Sequence, residues 1–290
     1  MWPDSARCAV AFTFDFDAEE VWIGEDPANA GRPGVLSQGT YGANVGVPLV
    51  LDLLHRHEVQ ATFFVPGRVA ERHPDRVERI LASGHELGHH GYTHRSPALL
   101  SAAEEEEELL RGKQILEDFG ATVSGYRSPS WNFSAVTTAL LAKHGFEYSS
   151  NLMDDLWPYQ LEGTSIIELP VHWMLDDAPH FWFAESSWTK KISTTAEVRA
   201  IWEEEFLGIR ELGGCCIFTL HPQFIGRPSR LQLLAEIIEV VRDSGDAWCT
   251  TCGELATWVR TSHEQTGAFE MSPWRDRFLN NSDPRTRAHP

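Results

Sequence analysis

Short β-rich runs alternate with longer amphipathic segments along most of this chain, and that rhythm limits the folds open to it more than any other feature. The runs Cys8–Phe14, Ala61–Val65, Glu86–Gly88, Gly125–Arg127, Tyr148–Ser150, Ile166–Leu169, Cys216–Leu220 and Ala247–Thr250 predict strands. Between them, Pro48–His57, Arg68–Ser83, Ala102–Phe119, Ala135–His144, Ala196–Leu212 and Ser229–Asp243 carry helical spacing. Strands separated by helices make parallel βα units. Seven or eight such units predict a closed α/β barrel rather than an open sheet, with its chemistry at the C-terminal ends of the strands. The 290 residues suit one large domain, or at most two small ones. One catalytic barrel domain is expected over residues 1–262. The tail 263–290 reads either as disordered or as an arm on another subunit.

Two stretches break the rhythm. Gly24 to Gly46, rich in Gly, Pro and Asn, reads as a long loop after the first strand. Trp157 to Trp188 is dense in aromatics, and such stretches in a barrel usually serve a site. Ser101-Ala-Ala-Glu104 is a capping box, and the acidic run Glu104–Glu108 behind it reads as a solvated helix face.

Charge excludes several partners. With 24 Lys+Arg against 42 Asp+Glu, the net charge of −18 repels phosphate backbones and anionic membranes, so neither nucleic acid nor a membrane is expected. No apolar run approaches the ~20 residues of a membrane span. The start, MWPDSAR, has no basic and apolar leader, which points to the cytoplasm. The five cysteines include one CxxC, Cys249 and Cys252, with no second pair to complete a metal site; a structural role is expected for them.

Four clusters carry chemistry. In Thr13-Phe-Asp-Phe-Asp17, Asp15 and Asp17 are two residues apart and share one face of a strand end. Their repulsion calls for a cation, or else they are capping residues of a loop. The segment Gly84-His-Glu-Leu-Gly-His-His-Gly-Tyr-Thr-His94 offers two HxxxH registers. His85 precedes its strand and lies at the barrel's structural end, whereas His90 and His94 follow it, on the side of Asp15 and Asp17. Two histidines and one carboxylate make a metal set with an open position. Arg127 ends a strand in YRSPSW and could hold a carboxylate, or could pair at the surface. His221 ends the run Cys216–Leu220 and could give a proton to a leaving nitrogen, or could be a core histidine.

In this order these motifs resemble the NodB-type polysaccharide deacetylases, carbohydrate esterase family 4. TFDFD, HHGYTH, RSPSW and LHP match four family motifs, from about Ala9 to His221. The resemblance implies a distorted (β/α)7 barrel. It also implies a divalent transition metal, usually zinc, on Asp17, His90 and His94. Asp15 is then the general base, Arg127 orients it, and His221 is the general acid. A further aspartate should orient His221, with Asp154 and Asp155 as candidates. With Phe16 between the aspartates and Ser130 in place of the family's tyrosine, the FDFDAE start and HPQFIGRPSR are similar to an intracellular branch. It holds cyclic imide hydrolases, allantoinase-like enzymes and a Helicobacter-type peptidoglycan deacetylase homologue, commonly as tetramers. The expected reaction is hydrolysis of a non-peptide amide or imide C–N bond, with a backbone N–H of Ser130 or Trp131 on the oxyanion. A small cyclic imide or ureide is the expected substrate, with N-deacetylation of an N-acetyl sugar as the alternative. A non-catalytic binding protein would need neither base nor acid.

Overall fold

The computed structural model describes residues 2–183 and 191–266. Among them, nine strands form one sheet: β1 (Cys8–Asp15), β2 (Thr62–Val65), β3 (Glu86–His89), β4 (Gly125–Tyr126), β5 (Tyr148–Ser149), β6 (Tyr159–Gln160), β7 (Ile167–Glu168), β8 (Cys215–Leu220) and β9 (Ala247–Cys249). The order is β6-β7-β5-β4-β3-β2-β1-β8, and β9 pairs with the first half of β1. Every pairing is parallel except β6 with β7. The sheet curls into a half-barrel, the distorted (β/α) barrel that the resemblance implies; it is not the closed one expected from the alternation, because among the described residues the end strands β6 and β8 do not pair.

Strand β1 shows why the barrel forms from these residues. All eight of its side chains are buried, so both faces are apolar, as a parallel sheet under helices requires. Ala9 and Ala11 face one cluster with Phe64, Tyr148, Ile167 and Ile217, drawn from strands all around the barrel. Val10, Phe12 and Phe14 face the other, where Phe12 stacks on Phe218 at 5.1 Å and Phe14 on Phe63 at 4.9 Å. Small residues inside and large ones outside suit a strand that bends around a narrow interior.

The helices are α1 (Glu20–Glu25), α2 (Pro33–Tyr41), α3 (Val47–Arg56), α4 (Gly67–Arg72), α5 (Pro74–Ala82), α6 (Ala102–Asp118), α7 (Thr137–Lys143), α8 (Ala178–Phe181), α9 (Thr195–Leu212), α10 (Pro222–Ile225), α11 (Pro228–Asp243) and α12 (Cys252–Thr266). The helix expected over 68–83 is two, because Pro74 has no N–H and forces the chain to restart. Helix α12 packs Leu255, Ala256 and Val259 against the inner cluster and runs four residues past the boundary expected at 262. The rest of the tail, 267–290, and Trp188 lie outside the described residues.

The stretch 24–46 is a correction: it is helical, not a loop. Pro27 and Pro33 open helical turns, Asp26 caps the first through the Ala28 N–H at 2.9 Å, and a π-turn at Gly42–Gly46 leads into α3. Its glycines serve close packing rather than flexibility. A Cβ on Gly39 would overlap the backbone of Ala18, and one on Gly46 the backbone of Pro222. The segment is therefore pressed against the chain just after Asp17 and just after His221.

Candidate active site

The carboxyl end of β1 sets the first pair. The Phe16 N–H bonds to the Phe64 carbonyl and its ring is buried in the outer core, which leaves Asp15 and Asp17 on the opposite face. Arg127, just past β4, has no exposed surface. It donates from Nη1 to Asp15 Oδ1 at 2.8 Å and to Thr13 Oγ1 at 2.7 Å, and from Nη2 to Ser150 Oγ at 2.9 Å. Its guanidinium lies 4.2 Å over the Phe64 ring. The surface-pair reading is excluded. Burial alone would raise the Asp15 pKa, but the Arg127 charge and hydrogen bond outweigh it and hold the carboxyl below its usual range.

The histidines divide as their positions implied. His85 accepts the Ala61 N–H at 3.3 Å and packs on Phe63, and burial pulls it down to about 4. His89 is tied to the Leu109 carbonyl at 3.0 Å and to the Gly91 N–H at 3.0 Å. His90 Nδ1 donates to the Arg127 carbonyl at 2.7 Å, which leaves the lone pair on Nε2. That nitrogen lies 3.4 Å from Asp17 Oδ1, and His94 Nε2 lies 3.6 Å from the same oxygen.

The acidic run of α6 is a second correction, since two of its members are buried. Glu108 accepts the N–H groups of Tyr92 at 3.0 Å and Thr93 at 2.7 Å, so it holds the loop between His90 and His94. Glu105 accepts the hydroxyls of Ser134 and Thr137. Amides and hydroxyls satisfy these carboxylates, and Arg95 pairs with Glu108 at 3.0 Å.

His221 is held by an aspartate that sequence reasoning missed. Its Nδ1 lies 2.7 Å from Asp177 Oδ1 and 3.6 Å from Asp176 Oδ1, while Nε2 lies 3.6 Å from Asp17 Oδ2. Neither candidate, Asp154 nor Asp155, touches it: Asp154 accepts the Tyr159 hydroxyl and Asp155 the Leu156 N–H. Burial lowers the His221 pKa, yet the charge and hydrogen bond of Asp177, with Asp176 and Asp17, carry it well above the usual imidazole value. The available signal was the pair Asp176-Asp177 before Ala-Pro, an ordinary start for α8. Thr13 and Ser150 carried no signal at all.

These groups line one side of a cavity of about 610 Å³. Trp131, Trp173 and Trp182 also line it: the first two have ring centroids 4.4 Å apart, and Trp182 packs on Phe224, which in turn contacts His221. That volume suits a small molecule. Of the two backbone donors considered for an oxyanion, the Trp131 N–H is committed to the Ser128 carbonyl at 3.0 Å; Ser130 also lines the cavity.

Asp17, His90 and His94 fit a divalent cation. Their ligand atoms lie within 4.8 Å of one another, and Asp17 Oδ1 is buried with no hydrogen-bond partner. Burial drives the Asp17 pKa well above its usual value, against the pull of His221, and nearby Asp15 adds to the rise. Two neutral imidazoles and a carboxylate whose charge is uncompensated are the donors that zinc and its neighbours take. The CxxC is no centre of this kind: all five cysteines are free, and burial raises Cys8 and Cys252 to about 12 and Cys249 to about 11.

Known proteins agree with this architecture. The polysaccharide deacetylase family profile matches residues 38–149. A peptidoglycan deacetylase of Helicobacter pylori is 31% identical over 272 residues, covering 83% of this chain and 92% of its own. A crystal structure described as a polysaccharide deacetylase from Mycobacterium smegmatis is 42% identical with a TM-score of 0.87, covering 90% of this chain and 93% of its own. The Puue allantoinase shares the fold, with a TM-score of 0.79 at 23% identity over 92% of this chain and 94% of its own. Sequence likeness over most of both chains, joined to this fold, makes the protein a member of the polysaccharide deacetylase family, the NodB-type hydrolases of carbon–nitrogen bonds.

Proposed function

We propose that the protein hydrolyses the C–N bond of a small cyclic imide or ureide. The observation that carries this reading is the setting of the site: buried polar groups in a cavity of about 610 Å³ that Trp131, Trp173 and Trp182 also line. A small flat ring can stack on such indoles beside the reacting groups.

Asp17, His90 and His94 hold a divalent transition metal, with zinc as the first choice. When bound, the ion polarises the scissile carbonyl and makes a water easier to deprotonate. Asp15 accepts that water's proton at Oδ2, since Oδ1 is held by Arg127. The Ser130 N–H supports the developing oxyanion. His221, charged through Asp177, gives its Nε2 proton to the departing nitrogen. Activity in the cytoplasm and assembly into a tetramer belong to the same proposal.

N-deacetylation of an N-acetyl sugar is the second reading, favoured by the Helicobacter pylori relative and its peptidoglycan deacetylase activity. The test is turnover of zinc-loaded protein on succinimide, hydantoin, dihydrouracil, allantoin and N-acetylglucosamine oligomers. Loss of ring absorbance without acetate is the expected result. Acetate from the oligomers alone would overturn the imide reading.

A further inference from the structure

One more carboxylate faces the cavity without a task in this chemistry. Asp176 is 3% exposed and lines the cavity beside His221. A parallel bridge to Thr219 registers it on β8, so the sheet sets its position. Its Oδ1 accepts the Ala178 N–H at 2.7 Å, the opening turn of α8. Among the described residues nothing donates to Oδ2. Asp176 is not needed to hold His221, because Asp177 takes both the ring and the backbone N–H of that residue. No lysine or arginine is among the described residues lining the cavity. Here is a buried carboxyl with one oxygen turned to no donor among the described residues, beside the imidazole that gives the proton and 3.6 Å from its Nδ1.

We propose that Asp176 Oδ2 accepts a hydrogen bond from the N–H of the scissile linkage, so that the protein selects substrates whose reacting nitrogen carries a hydrogen. The inference rests on C–N hydrolysis at this site and deepens it. With its N–H on Asp176, the nitrogen turns its developing lone pair toward His221 Nε2, and the proton arrives there as the C–N bond opens. Asp176 gains and loses no proton in the cycle. It binds substrate, and the site reads the nitrogen's substitution.

The experiment compares succinimide with N-methylsuccinimide on zinc-loaded wild type and Asp176→Asn. The amide keeps Oδ1 for the Ala178 N–H and replaces Oδ2 with an NH2 of the same size. Wild type is expected to favour succinimide in kcat/KM by ~3–10-fold, the worth of a hydrogen bond to a carboxyl that burial raises to about 7. In Asp176→Asn the preference falls to near parity, mainly through weaker binding of succinimide. Exclusion of the methyl group by bulk alone would persist in this variant, so a preserved preference overturns the proposal. Fluorescence titration with the same two compounds, read at the tryptophans of the wall, separates it from the imide reading. Selective binding that Asp176→Asn abolishes, with no ring opening, sinks that reading and leaves the role of Asp176 standing. Equal binding of both compounds, or of neither, overturns the role of Asp176.

Discussion

His221 Nδ1 lies 2.7 Å from Asp177 Oδ1, and both oxygens of Asp177 also take the His221 backbone N–H at 3.1 Å. One carboxylate thus fixes the ring, its tautomer and the backbone that carries it. Because Asp177 is the main group raising the His221 pKa against burial, the charged form persists below that raised value and is lost as pH rises through it. Asp177→Asn is expected to shift the alkaline limb of kcat downward in pH and to lower kcat by ~10²-fold or more. A limb that stays in place would remove His221 from the acid role.

Asp15 is the group from which the water's proton is expected to pass to the protein. Asp15→Asn should reduce kcat by at least ~10²-fold with little change in KM. Metal content measured on the same sample should stay unchanged, since Asp15 is outside the ligand set. Near-normal turnover of this variant would exclude Asp15 as the base.

Arg127 is buried against the Asp15 carboxylate, with no other cation at that oxygen among the described residues. Arg127→Met leaves a buried charge alone and should cost about 3–5 kcal/mol in denaturant unfolding. The double variant with Asp15→Asn removes that charge and should recover part of the loss.

Zinc should stabilise the folded chain through the cluster of Asp17, His90 and His94. Chelator-stripped protein titrated with zinc to ~100 times its dissociation constant should gain about 2.7 kcal/mol, read as a higher Tm. His94→Ala should remove the gain. An equal gain in that variant would place the ion elsewhere.

The close approach of Gly39 to Ala18 gives a prediction far from any titrating group. Gly39→Ala should cost about 1–3 kcal/mol by overpacking, and should reduce activity because Ala18 follows Asp17 directly. Gly34, in the same helix with open space around it, is the control: Gly34→Ala should be neutral or stabilising.

Much of this site could be read before any coordinates. Alternating strands and helices gave the parallel βα units, and strand ends gave the face on which Asp15, Asp17, His90, Arg127 and His221 meet. The period of two along β1 was enough to aim two carboxylates the same way. Errors fell where Gly, Pro and Glu were taken at their average meaning. The glycines of 24–46 are contacts between backbones, and Glu105 and Glu108 are buried because amides and hydroxyls come to them.

What the sequence determined by itself is what depends on neighbours along the chain: strand parity and the capping box of α6. What only tertiary structure decided depends on pairing across the barrel. Asp177 reaches His221 from 44 positions away because its chain runs beside β8, and Thr13 and Ser150 reach Arg127 from β1 and from just past β5. No local pattern encodes such contacts, since they follow from strand register and from how few polar partners a buried charge has within reach.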